Sequence, residues 1–546
     1  MPVDSPVFAR LCKEYVDFYF QERPTWATYR GYRRYDRELP SHSQHDLNRR
    51  RRERKRFARR LKSFEARKLS LDDRIDRELL LSALKLEDYE ERVLASHKRD
   101  ARHYLDFGLN ALIEDDFLPR VKSARALLSR LREAPRLMAQ ARENLTCPLQ
   151  DSTQSVIAAI PRLTAYLRGP LTGFVRTLRG KANRKLRADL LAARDQLLSE
   201  LERFDKFLRE EALPRATDDF AVGRRYYNML LRHRHGLEID CDELLATARK
   251  RVREVRRELR ECARKIDPRR DWKELLDSSA QAHPEAGSLI ATYRDEMSRA
   301  RSFVRSRGIV GFPAREKLRV IPTPLHARSH VARWAIHLPP PFASQPLGTM
   351  WITPVPADAS SERADKMLRQ HSLPMISALA AHEGYPGHQL HFAIRQGLPR
   401  PLRKVLITTA FSEGWAIYSE ELMWQLGFFT DPRVKLVSLQ MELIRSAASV
   451  IDVLLHTKKM DVSRAVSYLV RACEMERSQA VGHVRMLCYQ PTQQMSYLLG
   501  KVQILELLKD YKKLKGKDFC LRAFHDELLA HGTIPFKYVR HLMGIE

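Results

Sequence analysis

Cysteine is scarce in this chain, with seven in 546 residues. Cys12, Cys147, Cys241, Cys262, Cys473, Cys488 and Cys520 are widely spaced, odd in number and include no C-x-x-C pair. That excludes a disulfide framework and a cysteine-ligated zinc, and it fits a reducing compartment. Long apolar runs are missing too. A membrane-spanning helix needs roughly 20 consecutive apolar residues, and no such stretch occurs. The N-terminal MPVDSPVFAR lacks the basic stretch and apolar core of a secretory signal. The expected location is therefore the cytoplasm. There is no collagen, coiled-coil or solenoid period. The G-x-S-x-G elbow, the phosphate-binding glycine loop and the dinucleotide fingerprint are all absent, so no rival chemistry offers itself.

Negative charge is also short. Lys and Arg number 97 against 68 Asp and Glu, for a net charge of +29. Such a bias favours polyanions or acidic substrates, but arginine-rich solvated helix faces produce it equally well. The densest run is Arg49 to Arg56, RRRRERKR. It could be a patch for nucleic acid or anionic lipid, or simply a solvated helix face. It has no interleaved aromatics and sits in no recognisable nucleic-acid-binding module.

What the chain does have is helical periodicity. Leu69, Leu71, Ile75, Leu79, Leu80 and Leu84 recur at three- and four-residue spacings, predicting an amphipathic helix over about 69–95. Similar patterns predict helices near 122–145, 185–212, 241–266 and 285–305. Between 308 and 356, Gly and Pro punctuate short β-prone pieces at 318–321, 333–338 and 349–355, predicting a small sheet. Helix then resumes to the end. The reading is a mostly α-helical fold with an N-terminal helical region (1–300) and a catalytic region (301–546) sharing one core.

The chemistry is concentrated in HEGYPGH, residues 382–388, followed by Glu413-Gly-Trp415. Two imidazoles and a later carboxylate form the ligand set of a catalytic zinc with one open position. Glu383, beside the first histidine, can act as general base. The spacing is unusual. In H-E-x-x-H motifs the histidines lie one helical turn apart, whereas His382 and His388 lie at i and i+6. On a regular helix they would be rotated by roughly 240° and separated by about 9 Å along the axis. Pro386-Gly387 can break and restart that helix and swing His388 back. A second helix, from Leu402 through Ile417 and closing near Gly427, would carry Glu413, Ile417 and Glu420 on one face.

HEGYPGHQLH (382–391) with FSEGWAIYSE (411–420) resembles the domain-of-unknown-function 885 family, grouped by resemblance with the gluzincin metallopeptidases of the MA clan. ERPTWATYRGY (22–32) is similar to that family's opening, and FHDELLAHGTIP (524–535) to its closing segment. The resemblance implies one large helical catalytic fold with a deep groove and a small sheet beside the metal helices. It implies Zn2+ held by His382, His388 and Glu413, with Glu383 as base, in a peptidase. Arg445, Asp452, His456, Ser496, Tyr497 and Gly500 fall in further motif positions. The chain departs from the family pattern at Gln389 and His391, at the residues between Asp452 and His456, and at His483 to Leu487.

His456, Tyr489 and Tyr497 are candidate donors to an oxyanion, Asp452 could orient His456, and His391 is a possible outer ligand. Arg445 suits a substrate carboxylate. For each of these the alternative is ordinary core structure. The leading function is a cytoplasmic zinc peptidase acting on short peptides. The alternatives are a zinc hydrolase of a non-peptide amide or ester, and a weakened relative that binds nucleic acid or another polyanion through its basic surface.

Overall fold

The computed structural model describes residues 5–114, 118–328 and 331–545. The chain forms two compact units, Met1–Phe220 with Phe342–Ser344, and Ala221–Pro341 with Gln345–Glu546. Both are built almost wholly of helices. Among the described residues no helix is long and apolar enough to cross a membrane.

In the first unit, the helices Arg120–Asn144 and Arg184–Phe207 pack together. They bury Leu127, Leu131, Leu137, Leu197, Leu201 and Phe204 in one core. The arginine run lies in the helix Gln44–Ser63, whose N-cap Ser43 accepts from the Asp46 N–H. Leu47, Arg50, Arg54, Phe57 and Leu61, at three- and four-residue steps, form its buried stripe. Two arginines therefore face inward and need counter-charges. Arg50 pairs with Glu22, and Arg54 with Glu91 at 2.6 Å. Arg49 and Arg51 reach the same two carboxylates at 2.7 and 2.9 Å. Only Arg52, Lys55 and Arg56 of the run are exposed.

The second unit begins at Ala221, well before the change of texture near 300. The helices that follow resemble the N-terminal ones in composition, but their partners are different. Cys241–Ile266 starts at an Asp240/Glu243 capping box and lays Leu244, Ala248, Val252, Val255 and Leu259 along the helix Pro432–His456. Leu289–Ser306 packs on the turn at Ala380–Gly384 that carries His382. Helical periodicity tells which face is buried and says nothing about which neighbour buries it.

The small sheet is present. β1 (Lys317–Pro322), β2 (Trp334–His337) and β3 (Leu347–Ile352) are ordered β1-β3-β2, with β1 parallel and β2 antiparallel to β3. Gln389, next to His388, donates to the Lys317 carbonyl at 3.0 Å, so the sheet adjoins the motif. The other helices fall close to their predicted spans, with one exception. Leu402, Val405 and Leu406 do not belong to the helix of Glu413. A short helix, Pro401–Val405, stops first, and the Glu413 helix starts afresh as Thr409–Gln425. Thr408 is the reason. Its hydroxyl caps Ala410 N, while its own N–H leaves the helix direction to donate to Thr533 O.

Candidate metal centre

The helix leading into the motif widens to a π turn over Ala380–Gly384. Tyr385 N donates to Ala380 O at 2.8 Å, and Gly387 N to Ala381 O at 3.1 Å. Tyr385 is extended, and a new helix, His388–Gln396, starts after Gly387. The six-residue spacing is absorbed in this break. A Cβ on Gly387 would stand 1.9 Å from His382 O, so only glycine lets the restarted chain lie against the first histidine. The two imidazoles end with ring centres 5.0 Å apart and planes at 89°.

Glu413 is brought to them by two contacts of its own motif. Trp415, fully buried, donates its indole N–H to Pro386 O at 2.8 Å, which fixes the Glu413 helix to the loop between the histidines. Gly414 meets Gly500 of the helix Met495–Lys515 at backbone contact. A Cβ on Gly414 would lie 2.3 Å from the Gly500 carbonyl carbon, and one on Gly500 would lie 1.9 Å from Ala410 O. That approach sets Tyr497 over the site, its ring near-parallel to His382 at 6.5 Å.

One ligand atom each from His382, His388 and Glu413 lies within 4.8 Å of the others. His388 Nε2 and Glu413 Oε2 are 3.3 Å apart. The edge of a tetrahedron with zinc–ligand bonds of ~2.0–2.1 Å is roughly 3.3–3.4 Å, so this pair already has a suitable separation. His382 Nδ1 lies 2.7 Å from Glu420 Oε1. An ionised carboxylate only accepts, so Nδ1 carries the hydrogen and Nε2 is left with its lone pair, the tautomer a metal ligand requires.

Charge points the same way. Glu383, Glu413 and Glu420 bear on this small region with one guanidinium, Arg445, whose Nη1 is 3.7 Å from Glu420 Oε1. Two negative charges remain uncompensated while the imidazoles are neutral. Burial alone would depress the His388 pKa, yet the charge and hydrogen bond of Glu413, with help from Glu383, lift it above its ordinary value. Burial pushes Glu413 up, and His388, His382 and Arg445 bring it below the usual carboxylate range. A divalent cation satisfies both the donor set and the missing charge.

A model of the family described as bacterial protein of unknown function (DUF885) matches residues 24–543. The chain belongs to that family. Among solved structures it is similar to "a putative lipoprotein of unknown function" from Shewanella oneidensis, at 24% identity and a TM-score of 0.79, covering 98% of this chain and 99% of that one. A second, "the putative lipoprotein" from Colwellia psychrerythraea, matches at 18% identity and a TM-score of 0.83, covering 98% of both chains. These likenesses show a shared fold. No curated protein matches the chain.

Of the residues singled out in the DUF885 motifs, His382, Glu383, His388, Glu413, Arg445 and Tyr497 come together. Arg445 stacks on the Tyr497 ring, 4.4 Å from its centre. Burial, reinforced by Glu413, raises the Tyr497 pKa, so its hydroxyl stays protonated at neutral pH. His456 is held elsewhere. Its Nε2 bonds Leu487 O at 3.0 Å, and its Nδ1 faces Val222 N at 3.5 Å. Both ring nitrogens are engaged by backbone, so in this structure neither is left to donate to an oxyanion. Asp452 Oδ2 accepts from Tyr227 OH at 2.6 Å and Thr492 N at 2.9 Å, while its Oδ1 lies 3.6 Å from His456 Nε2. Burial raises the Asp452 pKa to about 7 against the pull of those two donors. His391 is buried, its Nε2 3.0 Å from Thr533 Oγ1, and is not part of the three-residue cluster. Tyr489 ends the helix Arg477–Tyr489.

Sequence reasoning missed three supports. Glu420 is the carboxylate behind His382, and its place seven residues after Glu413 on the same face was the available signal. Gln493 donates to Glu413 Oε1 at 3.4 Å. Glu316, with a fully buried side chain, accepts from Tyr385 OH at 2.6 Å and Gln389 Nε2 at 2.9 Å and pairs with Arg301 at 3.0 Å. It anchors the inter-histidine loop from nearly seventy residues away, where no local pattern announces it.

Proposed function

We infer that this protein is a zinc-dependent hydrolase whose substrates are short peptides. The observation that carries this reading is the convergence of His382, His388 and Glu413, with the Glu383 and Glu420 carboxylates beside them. Bound there, zinc supplies a Lewis acid that polarises a carbonyl and makes a neighbouring water acidic enough to ionise near pH ~7. Glu383, next to His382, takes the proton of the attacking water and passes it to the leaving amine. Tyr497, kept protonated, donates to the oxygen on which charge develops. Glu420 holds His382 in register through Nδ1. A gluzincin-like peptidase assignment rests on this donor set and on the family motif.

The test is a peptide-library digest by the zinc-loaded protein, read by mass spectrometry, beside Glu383→Gln. The expected result is zinc-dependent cleavage that falls by about 10²- to 10⁴-fold in the variant. Cleavage unchanged in Glu383→Gln, or insensitive to chelator, contradicts the reading. Profiling the same protein on esters and non-peptide amides separates a peptidase from a broader hydrolase. The polyanion-binding alternative loses much of its motive, because Arg49, Arg50, Arg51 and Arg54 are paired with Glu22 and Glu91. On location, seven widely spaced cysteines with no C-x-x-C pair fit a reducing compartment, whereas a lipoprotein relationship would favour the outside of the cell. We propose the former.

A further inference from the structure

Among the polar atoms buried without a hydrogen-bond partner, Arg445 Nη1 and His483 Nε2 take no part in the mechanism above. They come from adjoining helices, Pro432–His456 and Arg477–Tyr489. Leaving such polar atoms without a partner costs roughly 1–3 kcal/mol each, more where the group is charged, and a ligand that completes them removes that cost. The guanidinium is held in place. It lies over Tyr497 at 4.4 Å, and at 3.7 Å its Nη1 is too far from Glu420 for a hydrogen bond. The His483 imidazole is kept neutral by burial and then by the charge of Arg445, and no carboxylate figures among the groups that perturb it. The charge of Arg445 is felt both by the candidate ligands His388 and Glu413 and by His483.

We propose that Arg445 and His483 form a subsite for the free C-terminal carboxylate of a peptide substrate. The guanidinium supplies the charge and the imidazole an N–H. Arg445 flanks Glu420 and Tyr497, which flank His382, so the carboxylate sits close to the scissile bond. The substrate class is a dipeptide or the C-terminal end of a short peptide, cut one residue from its terminus. This deepens the peptidase reading and rests on it.

Binding tests it without turnover. Zinc is supplied to the Glu383→Gln protein, metal content is measured, and Ala-Phe is titrated calorimetrically beside Ala-Phe amide. The free acid is expected to bind about 10- to 100-fold more tightly, the range of a charge-assisted hydrogen bond. Adding Arg445→Gln or, separately, His483→Ala is expected to erase that preference while zinc content and melting temperature hold. Equal affinity for acid and amide in a zinc-loaded protein overturns the subsite and leaves the hydrolase standing. A protein that takes up no zinc and binds neither probe overturns both.

Discussion

The second unit contains two buried assemblies of histidine and carboxylate, and they differ in what is left over. Around Asp452, His456 is bonded through both nitrogens to backbone, and Asp452 takes its hydrogen bonds from Tyr227 and Thr492 on Oδ2, leaving Oδ1 without one. Around His382, the supporting partners, Glu420 and Gln493, are used to orient, and one ligand atom from each of two imidazoles and a carboxylate lies within 4.8 Å of the others. Burial and residue type are alike in the two places. What sets the second apart is the gathering of three potential ligand atoms, and on the proposed function it is the chemical site and the first an architectural one. Their pKa shifts follow suit. Asp452 is moved chiefly by burial, whereas in His388 neighbouring charge overcomes burial.

The largest effect is expected where the metal centre depends on backbone contact. Gly500→Ala pushes a methyl into Ala410 O and should cost about 3 kcal/mol or more, read as a lower midpoint in chemical denaturation, with zinc binding weakened as the Glu413 helix shifts. A stable variant with normal zinc affinity would mean that the helix pair does not set the centre. Next, Glu420→Gln should weaken zinc affinity by about 10- to 100-fold, while His456→Ala destabilises the fold and leaves affinity where it was. If the two variants change zinc affinity alike, the distinction between the assemblies collapses.

A titration sharpens the contrast from the other side. The folded pKa of Asp452 is about 7, above the ~3.9 of an unfolded aspartate. Its contribution to stability is thus full below pH ~4, declines as pH rises towards 7 and is flat above. Wild type compared with Asp452→Asn should lose roughly 1.4 kcal/mol per pH unit across that window. A difference that does not vary with pH would place the carboxyl in a far wetter setting. The smallest effect belongs to the first unit. Arg52→Gln, on the exposed side of the basic helix, should change stability by no more than about 0.5 kcal/mol, whereas Glu22→Gln, which removes the carboxylate shared by Arg49 and Arg50, should cost more.

Much of this was legible in the sequence. Three- and four-residue apolar spacing located the helices, Gly and Pro bracketed the sheet, and Pro386-Gly387 flagged the break that reconciles His382 with His388. The Glu413–Glu420 helix face carried the orienting carboxylate in plain view. What stayed hidden depends on partners distant in the chain. Glu316 reaches the loop of Tyr385 from another element, and His456 is silenced by the carbonyl of Leu487. The inward turn of Arg50 and Arg54 was readable from their spacing with Leu47, Phe57 and Leu61, but the run of like charge drew the eye to the surface.

The most direct test is elemental analysis of the purified protein for metal, wild type beside His388→Ala, both checked for folding. One zinc per chain in wild type and none in the variant is the predicted result. Wild-type protein that holds no metal even after zinc is supplied would contradict the account at its centre.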